Sequence, residues 1–305
     1  MITLLRRIIS VLIALIMSFF VVGAPEEPHT VLDEKNCLLN VCVISDVHVE
    51  GNNTSRYKVF RRILKDAGNN SFGNDAAVFL GDNTMNGQGI ESILFYGAVK
   101  SSHISDEYVV CCGNHDVGNG NGNYNKLLNR FLSYSSILTG VKTDKPFYYK
   151  VINGYYFIVL GPEDLCVYEM PISEEQYKFL EDTMALAAAS GKPIFVLAHH
   201  PIYDIDDDEG ERISGIIGRY NNVFYVYGHT HMPFIDGWSF GTEDGINTMN
   251  FPRCTELAGE KDNEIYAGTG DAGQIEVYED EVVVRARNFY SGEWHDDMEY
   301  HFDLK

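Results

Sequence analysis

Histidine side chains in this sequence occur beside carboxylate and amide side chains in short segments. Six of the ten histidines lie in Asp46-Val47-His48, Asn114-His115-Asp116, His199-His200 and His229-Thr230-His231. Imidazole nitrogen, carboxylate oxygen and amide oxygen are the ligands that proteins offer to Zn²⁺, Mn²⁺ or Fe. In an extended chain, side chains at i and i+2 point to the same side, so His229 and His231 can present two imidazoles to one point. A single His-x-His segment is a weak signal, and its value depends on the other segments lying near it.

An apolar run precedes each of these segments and predicts a buried β-strand. The runs occupy residues 38–45, 76–80, 108–112, 193–198 and 222–227. One of them continues into Gly81-Asp82-Asn83, which places a further carboxylate at a strand end. Because ligands bind at the carboxyl ends of the strands in an α/β sheet, we expect the polar segments to converge. They offer more ligands than one tetrahedral ion needs, and Asp82 can bridge two ions, so the sequence predicts a two-metal site.

The segments between these strands predict an α/β fold. Apolar residues at helical spacing predict helices from Thr54 to near Gly68, at residues 90–99, from Tyr124 onward, and from the capping box Ser173-x-x-Gln176 to Gly191. Asn153-Gly154 between two β-rich runs predicts a hairpin.

Two later stretches complete the expected architecture. The acidic run at residues 204–211 is interpreted as a solvated loop. Alternating apolar and polar residues at 275–278 and 282–287 predict antiparallel strands that complete a sheet. We find no internal repeat and no linker to a second domain.

The N-terminus has the pattern of an export signal. Arg6 and Arg7 precede an apolar run that ends at Ala24, as in a secretory signal peptide. Pro25 is an awkward neighbour for cleavage, and a retained N-terminal anchor at residues 1–24 is the alternative. Both interpretations predict an exported chain: secreted, periplasmic, or anchored facing outward. Residues 25–36 are polar and predicted to be a linker, and residues 37–305 a single domain.

The cysteines and the net charge limit the function classes. There are six cysteines and no Cys-x-x-Cys segment; Cys42, Cys111 and Cys112 lie in apolar runs and are expected to be buried. Export permits a disulfide, but the sequence does not assign a pairing. The formal net charge of −21 repels nucleic acid and anionic membranes. Nucleic-acid binding is therefore disfavoured, and membrane contact is expected only through an N-terminal anchor.

Taken in order, the polar segments resemble those of the calcineurin-like metallophosphoesterase superfamily. The segments that carry the resemblance are Asp46-x-His48, Gly81-Asp82-Asn83, Gly113-Asn114-His115-Asp116, His199-x-Pro201 and Gly228-His229-x-His231. They span about residues 40–235. The resemblance implies an α/β fold, a four-layer αββα sandwich with mixed sheets.

The resemblance also implies a role for each residue. The first metal ion would be held by Asp46, His48 and His231, and the second by Asn114, His199 and His229. Asp82 would bridge the two ions, and His200 would be a neighbour of the ligands or a packing residue.

Two further residues would act on the substrate or beside it. His115 would contact the phosphate and protonate the leaving oxygen. Asp116 would orient His115 by accepting its other N–H; the alternative is a carboxylate that caps its own loop.

The activity that the resemblance implies is hydrolysis of a small phosphate monoester or diester. Two ions of Mn, Fe or Zn would activate a bridging hydroxide for in-line attack on phosphorus. The alternatives are a non-catalytic binding protein of the same fold and a nuclease of the same superfamily. The sequence does not choose between monoester and diester, and the oligomeric state stays open.

Overall fold

The structure is a computed structural model, and it describes residues 28–205, 207–243, 245–255 and 269–305. The predicted signal peptide or anchor at residues 1–24 lies outside the described residues, as do residues 25–27 of the predicted linker. None of the helices in the described part is long and apolar enough to cross a membrane.

Two six-stranded mixed sheets form the centre of the fold. The described strands, in chain order, are β1 Leu39–Ile44, β2 Ala76–Phe79, β3 Tyr108–Val110, β4 Tyr148–Ile152, β5 Tyr155–Val159, β6 Ile194–Leu197, β7 Val223–Tyr227, β8 Phe240–Glu243, β9 Ile246–Asn250, β10 Asp271–Val277, β11 Glu281–Asn288 and β12 Glu293–Asp303. The first sheet has the order β12-β11-β10-β1-β2-β3, and the second has the order β4-β5-β6-β7-β9-β8. The predicted strands are thus divided between two sheets.

Helices cover the outer face of each sheet. The described α-helices are α1 Thr54–Ala67, α2 Gly89–Ser102, α3 Tyr124–Thr139, α4 Glu174–Ala188 and α5 Asp207–Ile217, with a short 3₁₀ helix at Ile202–Asp204. Two of them begin at side-chain caps. Asn53 Oδ1 accepts from Arg56 N at 3.1 Å, and at the predicted capping box Ser173 Oγ accepts from Gln176 N at 3.3 Å.

The acidic run at residues 204–211 corrects an expectation. Most of it forms the first turn of α5 and is not a loop. The helix packs on the second sheet through Ile213, Ile216 and Ile217, which are all buried. That apolar stripe fixes the helix, and negative residues are favourable at its N-terminus.

Three apolar cores separate four layers. Phe60 and Phe95 of α1 and α2 pack against Phe79 of the first sheet. A second core lies between the two sheets, and a third lies between the second sheet and α4 and α5. Each fully buried side chain of this size contributes about 1.5–3 kcal/mol. The predicted four-layer αββα sandwich with mixed sheets is confirmed.

The chain ends pack on the first sheet. Strands β10, β11 and β12 are antiparallel and extend that sheet from β1, as predicted. Upstream of β1, Leu32 N donates to Glu276 Oε2 at 2.9 Å, and His29 is buried.

The cysteines of the fold are all free thiols. Cys42, Cys111 and Cys112 are buried, as expected.

Candidate metal centre

The polar segments after β1, β2, β3, β6 and β7 lie where the two sheets meet. The loops after β1 and β2 are joined by backbone hydrogen bonds, from Asp46 N to Gly81 O at 3.2 Å and from His48 N to Asp82 O at 2.8 Å. The loop after β7 is joined to the end of β6, since Gly228 N donates to His199 O at 3.1 Å. The first sheet thus contributes Asp46, His48 and Asp82, and the second contributes His199, His229 and His231.

The backbone at these positions is left-handed. The φ angles are 52° at Asp46, 46° at His48, 48° at Asp82, 68° at His229 and 53° at His231. The premise that an extended chain orients His229 and His231 to one side is therefore wrong. Left-handed conformations cost about 1–3 kcal/mol per residue and persist where the surrounding structure fixes them.

One group of side chains surrounds Asp46 Oδ1. Potential ligand atoms of Asp46, His48, Asp82 and His231 all lie within 4.8 Å of one another. From Asp46 Oδ1, His231 Nε2 lies at 3.0 Å and His48 Nε2 at 3.5 Å. The two imidazole Nε2 atoms are 3.0 Å apart, and Asp82 Oδ2 lies 3.6 Å from that of His48.

A second group surrounds the other side of Asp82. It consists of Asp82, His199 and His229, again with ligand atoms within 4.8 Å of one another. His199 Nε2 lies 3.2 Å from Asp82 Oδ2 and 3.2 Å from His229 Nδ1. His199 Nδ1 donates to Leu80 O at 2.9 Å, which directs Nε2 toward the group. Asp82 is the member that the two groups share.

Asn114 is the remaining predicted ligand. Its side chain is buried, its Nδ2 donates to Asn119 Oδ1 at 3.0 Å, and its Oδ1 has no hydrogen-bond partner. It belongs to the loop that packs on Asp82, because His115 N donates to Asp82 Oδ1 at 2.9 Å.

Burial and the carboxylates set the protonation of the imidazoles. Burial holds the pKa of His48 at about 3, and burial together with nearby His199 holds that of His229 at about 4. His199 differs: burial lowers its pKa, but Asp82 and Asp46 outweigh that effect and raise the pKa to about 9. Burial alone would raise the pKa of Asp46 and of Asp82, but His199 and the other imidazoles lower both. The site therefore favours positive charge between its carboxylates.

His115 lies at the rim of the site. Its Nδ1 donates to Met85 O at 2.7 Å, and its Nε2 lies 4.0 Å from Asp82 Oδ2. The imidazole packs edge-on against His48, with 4.6 Å between ring centroids. Its side chain is 19% exposed, so the Nε2 edge is open to a bound molecule.

Asp116 does not orient His115, and that expectation is wrong. One of its oxygens accepts from Thr84 N and Thr84 Oγ1 at 3.0 and 2.8 Å. The other accepts from Gly113 N at 3.1 Å and from Asn83 Nδ2 at 3.0 Å. The carboxylate ties the loop after β3 to the loop after β2, which is the loop-capping alternative.

His200 packs beside the second group. Its ring is fully buried, with 4.4 Å between its centroid and that of His229. Burial lowers its pKa well below the usual value, so the ring is neutral.

Four further residues shape the centre and were given no role from the sequence: Ser45, Met85, Gly113 and Gly228. Asp46 Oδ2 accepts from Ser45 Oγ at 2.5 Å and from His229 N at 3.1 Å. A Cβ atom would lie 2.1 Å from Asp82 Oδ1 if added to Gly113, and 2.0 Å from Ser45 Oγ if added to Gly228. The two glycines immediately before a polar strand end were the available signal. Met85 acts through its backbone, which leaves no trace in the residue type.

The fold and the paired Asp and His groups define the class of a metal-dependent phosphate-ester hydrolase. The chain belongs to the calcineurin-like phosphoesterase family, whose model matches residues 39–233. Its enzyme class is accordingly a hydrolase that acts on phosphate ester bonds. No curated protein matches the chain.

Solved structures show the same fold at low sequence identity. A dimetal phosphatase from Danio rerio superimposes with a TM-score of 0.62 at 14% identity, over 88% of this chain and 100% of that one. A purple acid phosphatase from yellow lupin (Lupinus luteus) seeds superimposes with a TM-score of 0.60 at 12% identity, over 92% of this chain and 55% of that one.

Proposed function

We propose that this protein is an exported phosphoesterase that uses two metal ions to hydrolyse a small phosphate monoester or diester. The first ion would be held by Asp46, His48 and His231, and the second by Asn114, His199 and His229. The observation that carries the proposal is that two groups of ligand atoms share the single carboxylate of Asp82.

The donor atoms fit two cations. Buried oxygens Asp46 Oδ1 and Asn114 Oδ1 have no hydrogen-bond partner, although leaving a buried polar atom without one is costly. The Nε2 atoms of His48 and His231 lie 3.0 Å apart. A cation in the first group would satisfy Asp46 Oδ1 and both imidazoles, and a cation in the second would satisfy Asn114 Oδ1. Mixed imidazole, carboxylate and amide ligands suit Mn, Fe or Zn.

The protonation of His199 fits the same interpretation. Its raised pKa reflects two carboxylates that require a positive charge beside Nε2. His199 Nε2 would give up that proton on binding a metal ion, because metal ligands must be deprotonated. The hydrogen bond from Nδ1 to Leu80 O holds the ring in the tautomer that a metal requires.

When bound, two metal ions supply the positive charge that activates water and neutralises phosphate oxygens. The chain supplies orientation and a proton. Met85 O accepts the Nδ1–H of His115, which directs Nε2 toward the site. In its imidazolium form His115 would carry on Nε2 the proton that passes to the leaving oxygen. General-acid catalysis of this kind contributes about 10²–10⁴-fold. Asp116 supports the loops that carry Asp82 and His115 and takes no part in proton transfer.

Metal content and activity of the purified mature chain test the proposal. A panel of phosphate monoesters and diesters is assayed with Mn²⁺, Zn²⁺ and Fe²⁺, and bound metal is counted by mass spectrometry. We expect two ions per chain and metal-dependent hydrolysis. A chain that binds no transition metal would support the non-catalytic alternative.

Two variants separate binding from catalysis. His115→Ala is expected to keep both ions and to lose about 10²–10⁴-fold in turnover, most for poor leaving groups. Asp82→Asn is expected to lose the metal pair. His301→Ala removes a surface imidazole on β12, 46% exposed, and serves as the matched control. Unchanged hydrolysis of alkyl phosphates by His115→Ala would remove His115 from the mechanism.

Export rests on the pattern of residues 6–24 alone. Mass spectrometry of the N-terminus, from protein recovered outside the cytoplasm, distinguishes a cleaved signal from a retained anchor. An intact chain confined to the cytoplasm would contradict export.

A further inference from the structure

A polar cavity lies next to the segments on either side of His115. It has a volume of about 570 Å³, and its walls are the start of α2 with the residues before it, the loop at residues 118–123, and the first turns of α3. We call this cavity the side pocket. Its lining includes two amide side chains, Asn86 and Asn121, and two cationic side chains, Lys126 and Arg130.

Two walls of the side pocket are attached to the catalytic segment. Asn86 follows Met85, whose carbonyl holds His115 Nδ1 at 2.7 Å. On the other side, Gly118 N donates to His115 O at 3.1 Å. The side pocket therefore adjoins both of the segments that hold His115 in place.

The side pocket is positively charged in a strongly acidic chain. Its lining contains Lys126 and Arg130 and no Asp or Glu. Within the described residues, neither cation makes an ion pair with a carboxylate. The nearby carboxylate of Glu91 is buried and already accepts from Asn86 N, Asn86 Nδ2 and Gln88 N.

The two cations differ in what holds them. Arg130 Nη1 donates to Gly87 O, which fixes the guanidinium at the wall and leaves its other N–H groups available. Lys126 is exposed, and its ammonium group has no hydrogen-bond partner among the described residues. Amide side chains complete a lining suited to hydrogen-bonding an anion.

We propose that the side pocket binds a second anionic group on the leaving-group side of the substrate. This inference rests on the proposed function and narrows it to phosphate esters whose leaving group carries a carboxylate or a second phosphate. The net charge of −21 opposes such substrates at long range, and a local pair of cations offsets that repulsion within a Debye length of about 8–10 Å.

Isosteric aryl phosphates test the charge preference. 4-Carboxyphenyl phosphate and 4-carbamoylphenyl phosphate have nearly the same shape and differ in one negative charge. Hydroquinone bisphosphate is the third substrate and tests a second phosphate on the leaving group. We expect kcat/KM to be higher for at least one anionic ester than for the carboxamide, and the preference to weaken as salt is added. A carboxamide that is hydrolysed as well as both anionic esters overturns the inference.

Variants of Lys126 test whether the preference for anionic esters arises in the side pocket. Lys126→Gln is expected to lower the anionic-to-neutral ratio of kcat/KM about threefold to tenfold, the range for losing one partly exposed charged contact. Lys126→Arg keeps the charge and restores most of the ratio. Lys65→Gln is the matched control, because Lys65 lies in the last turn of α1, at the end opposite the site. A ratio that Lys126→Gln leaves unchanged excludes the side pocket.

A binding measurement separates this inference from the proposed function. Calorimetry compares 4-carboxybenzylphosphonate with 4-carbamoylbenzylphosphonate, neither of which can be hydrolysed at its P–C bond. If no ester is hydrolysed but the carboxylate binds more tightly and loses that advantage in Lys126→Gln, the side pocket stands and the proposed activity fails. If esters are hydrolysed but neither the charge of the phosphonate nor Lys126→Gln affects binding, the proposed activity is supported and the anion-binding role of the side pocket is refuted.

Discussion

Gly228→Ala tests how closely the loop after β7 packs on Asp46. A Cβ atom at Gly228 would lie 2.0 Å from Ser45 Oγ and 2.5 Å from Asp46 Oδ2. The φ angle of Gly228 is not in the positive range, so alanine meets no left-handed strain there. The perturbation is therefore the steric contact itself, and it falls on a candidate metal ligand.

The size of the effect follows from the contacts that must move. Asp46 Oδ2 accepts from Ser45 Oγ at 2.5 Å and from His229 N at 3.1 Å. Overpacking costs about 1–3 kcal/mol, and a weakened hydrogen bond to a charged group adds to it. We expect the free energy of unfolding to fall by about 2–4 kcal/mol. Disturbing the partners of a ligand typically costs about 10–100-fold in metal affinity.

Chelator competition measures the affinity, and urea denaturation of the metal-free protein measures the stability. Gly97→Ala is the control, since Gly97 is exposed on α2 and a Cβ there meets no atom within 4 Å. Gly97→Ala should keep the metal affinity, and its free energy of unfolding should rise by up to about 0.5–1 kcal/mol. A Gly228→Ala protein with the metal affinity and stability of the unmodified chain would show that this close contact does not constrain Asp46.

Three further changes test other parts of the structure. Asp116→Asn should lower hydrolysis about 10–100-fold for good and poor leaving groups alike, because Asp116 holds loops and does not touch the ring of His115; a loss confined to poor leaving groups would restore its orienting role. Burial holds the pKa of His29 at about 4, below its ordinary 6.5. As the pH falls, the unfolded chain therefore takes up this proton before the folded chain does. The contribution of His29 to the free energy of unfolding should be complete above pH 6.5 and should fall by about 3 kcal/mol as the pH drops to 4. His29→Gln should remove that part of the pH dependence in urea titrations, and an identical dependence in both proteins would contradict it. Dialysis against a chelator should lower the thermal midpoint reversibly, since ligand at 100 times its Kd adds about 2.7 kcal/mol; a midpoint indifferent to metal would count against a structural cation pair.

The elements of the fold were predictable where side chains alone determine them. Apolar runs identified β1, β2, β3, β6 and β7, and the hairpin at Asn153-Gly154 forms with φ angles of 51° and 82° at those residues. The start of α5 was predicted to be a loop because its sequence is acidic, but negative residues are compatible with a helix N-terminus as well as with a loop. The apolar spacing Ile213, Ile216, Ile217 was the signal that outweighed it.

The candidate site was predictable in its composition and not in its geometry. Asp46, His48, Asp82, His199, His229 and His231 come together in two groups. All of them except His199 have a left-handed backbone, which hydrogen bonds between loops distant in sequence impose, such as His48 N to Asp82 O. Met85 O, and not Asp116, accepts the hydrogen bond from His115 Nδ1. The sequence could not predict this partner, because every residue has a backbone carbonyl.

The division of ligands between the sheets has a consequence for how the protein folds. The chain starts in the first sheet, builds the second, and returns to the first through β10, which pairs with β1. His48 and His231, whose Nε2 atoms are 3.0 Å apart, are separated by 183 positions in the chain. Contacts between such distant positions form late and slow folding. An N-terminal fragment that ends before β6 carries Asp46, His48, Asp82 and Asn114 but none of the histidines from the second sheet. We therefore expect tight metal binding only once the two sheets have docked, so that its onset would mark the completion of folding.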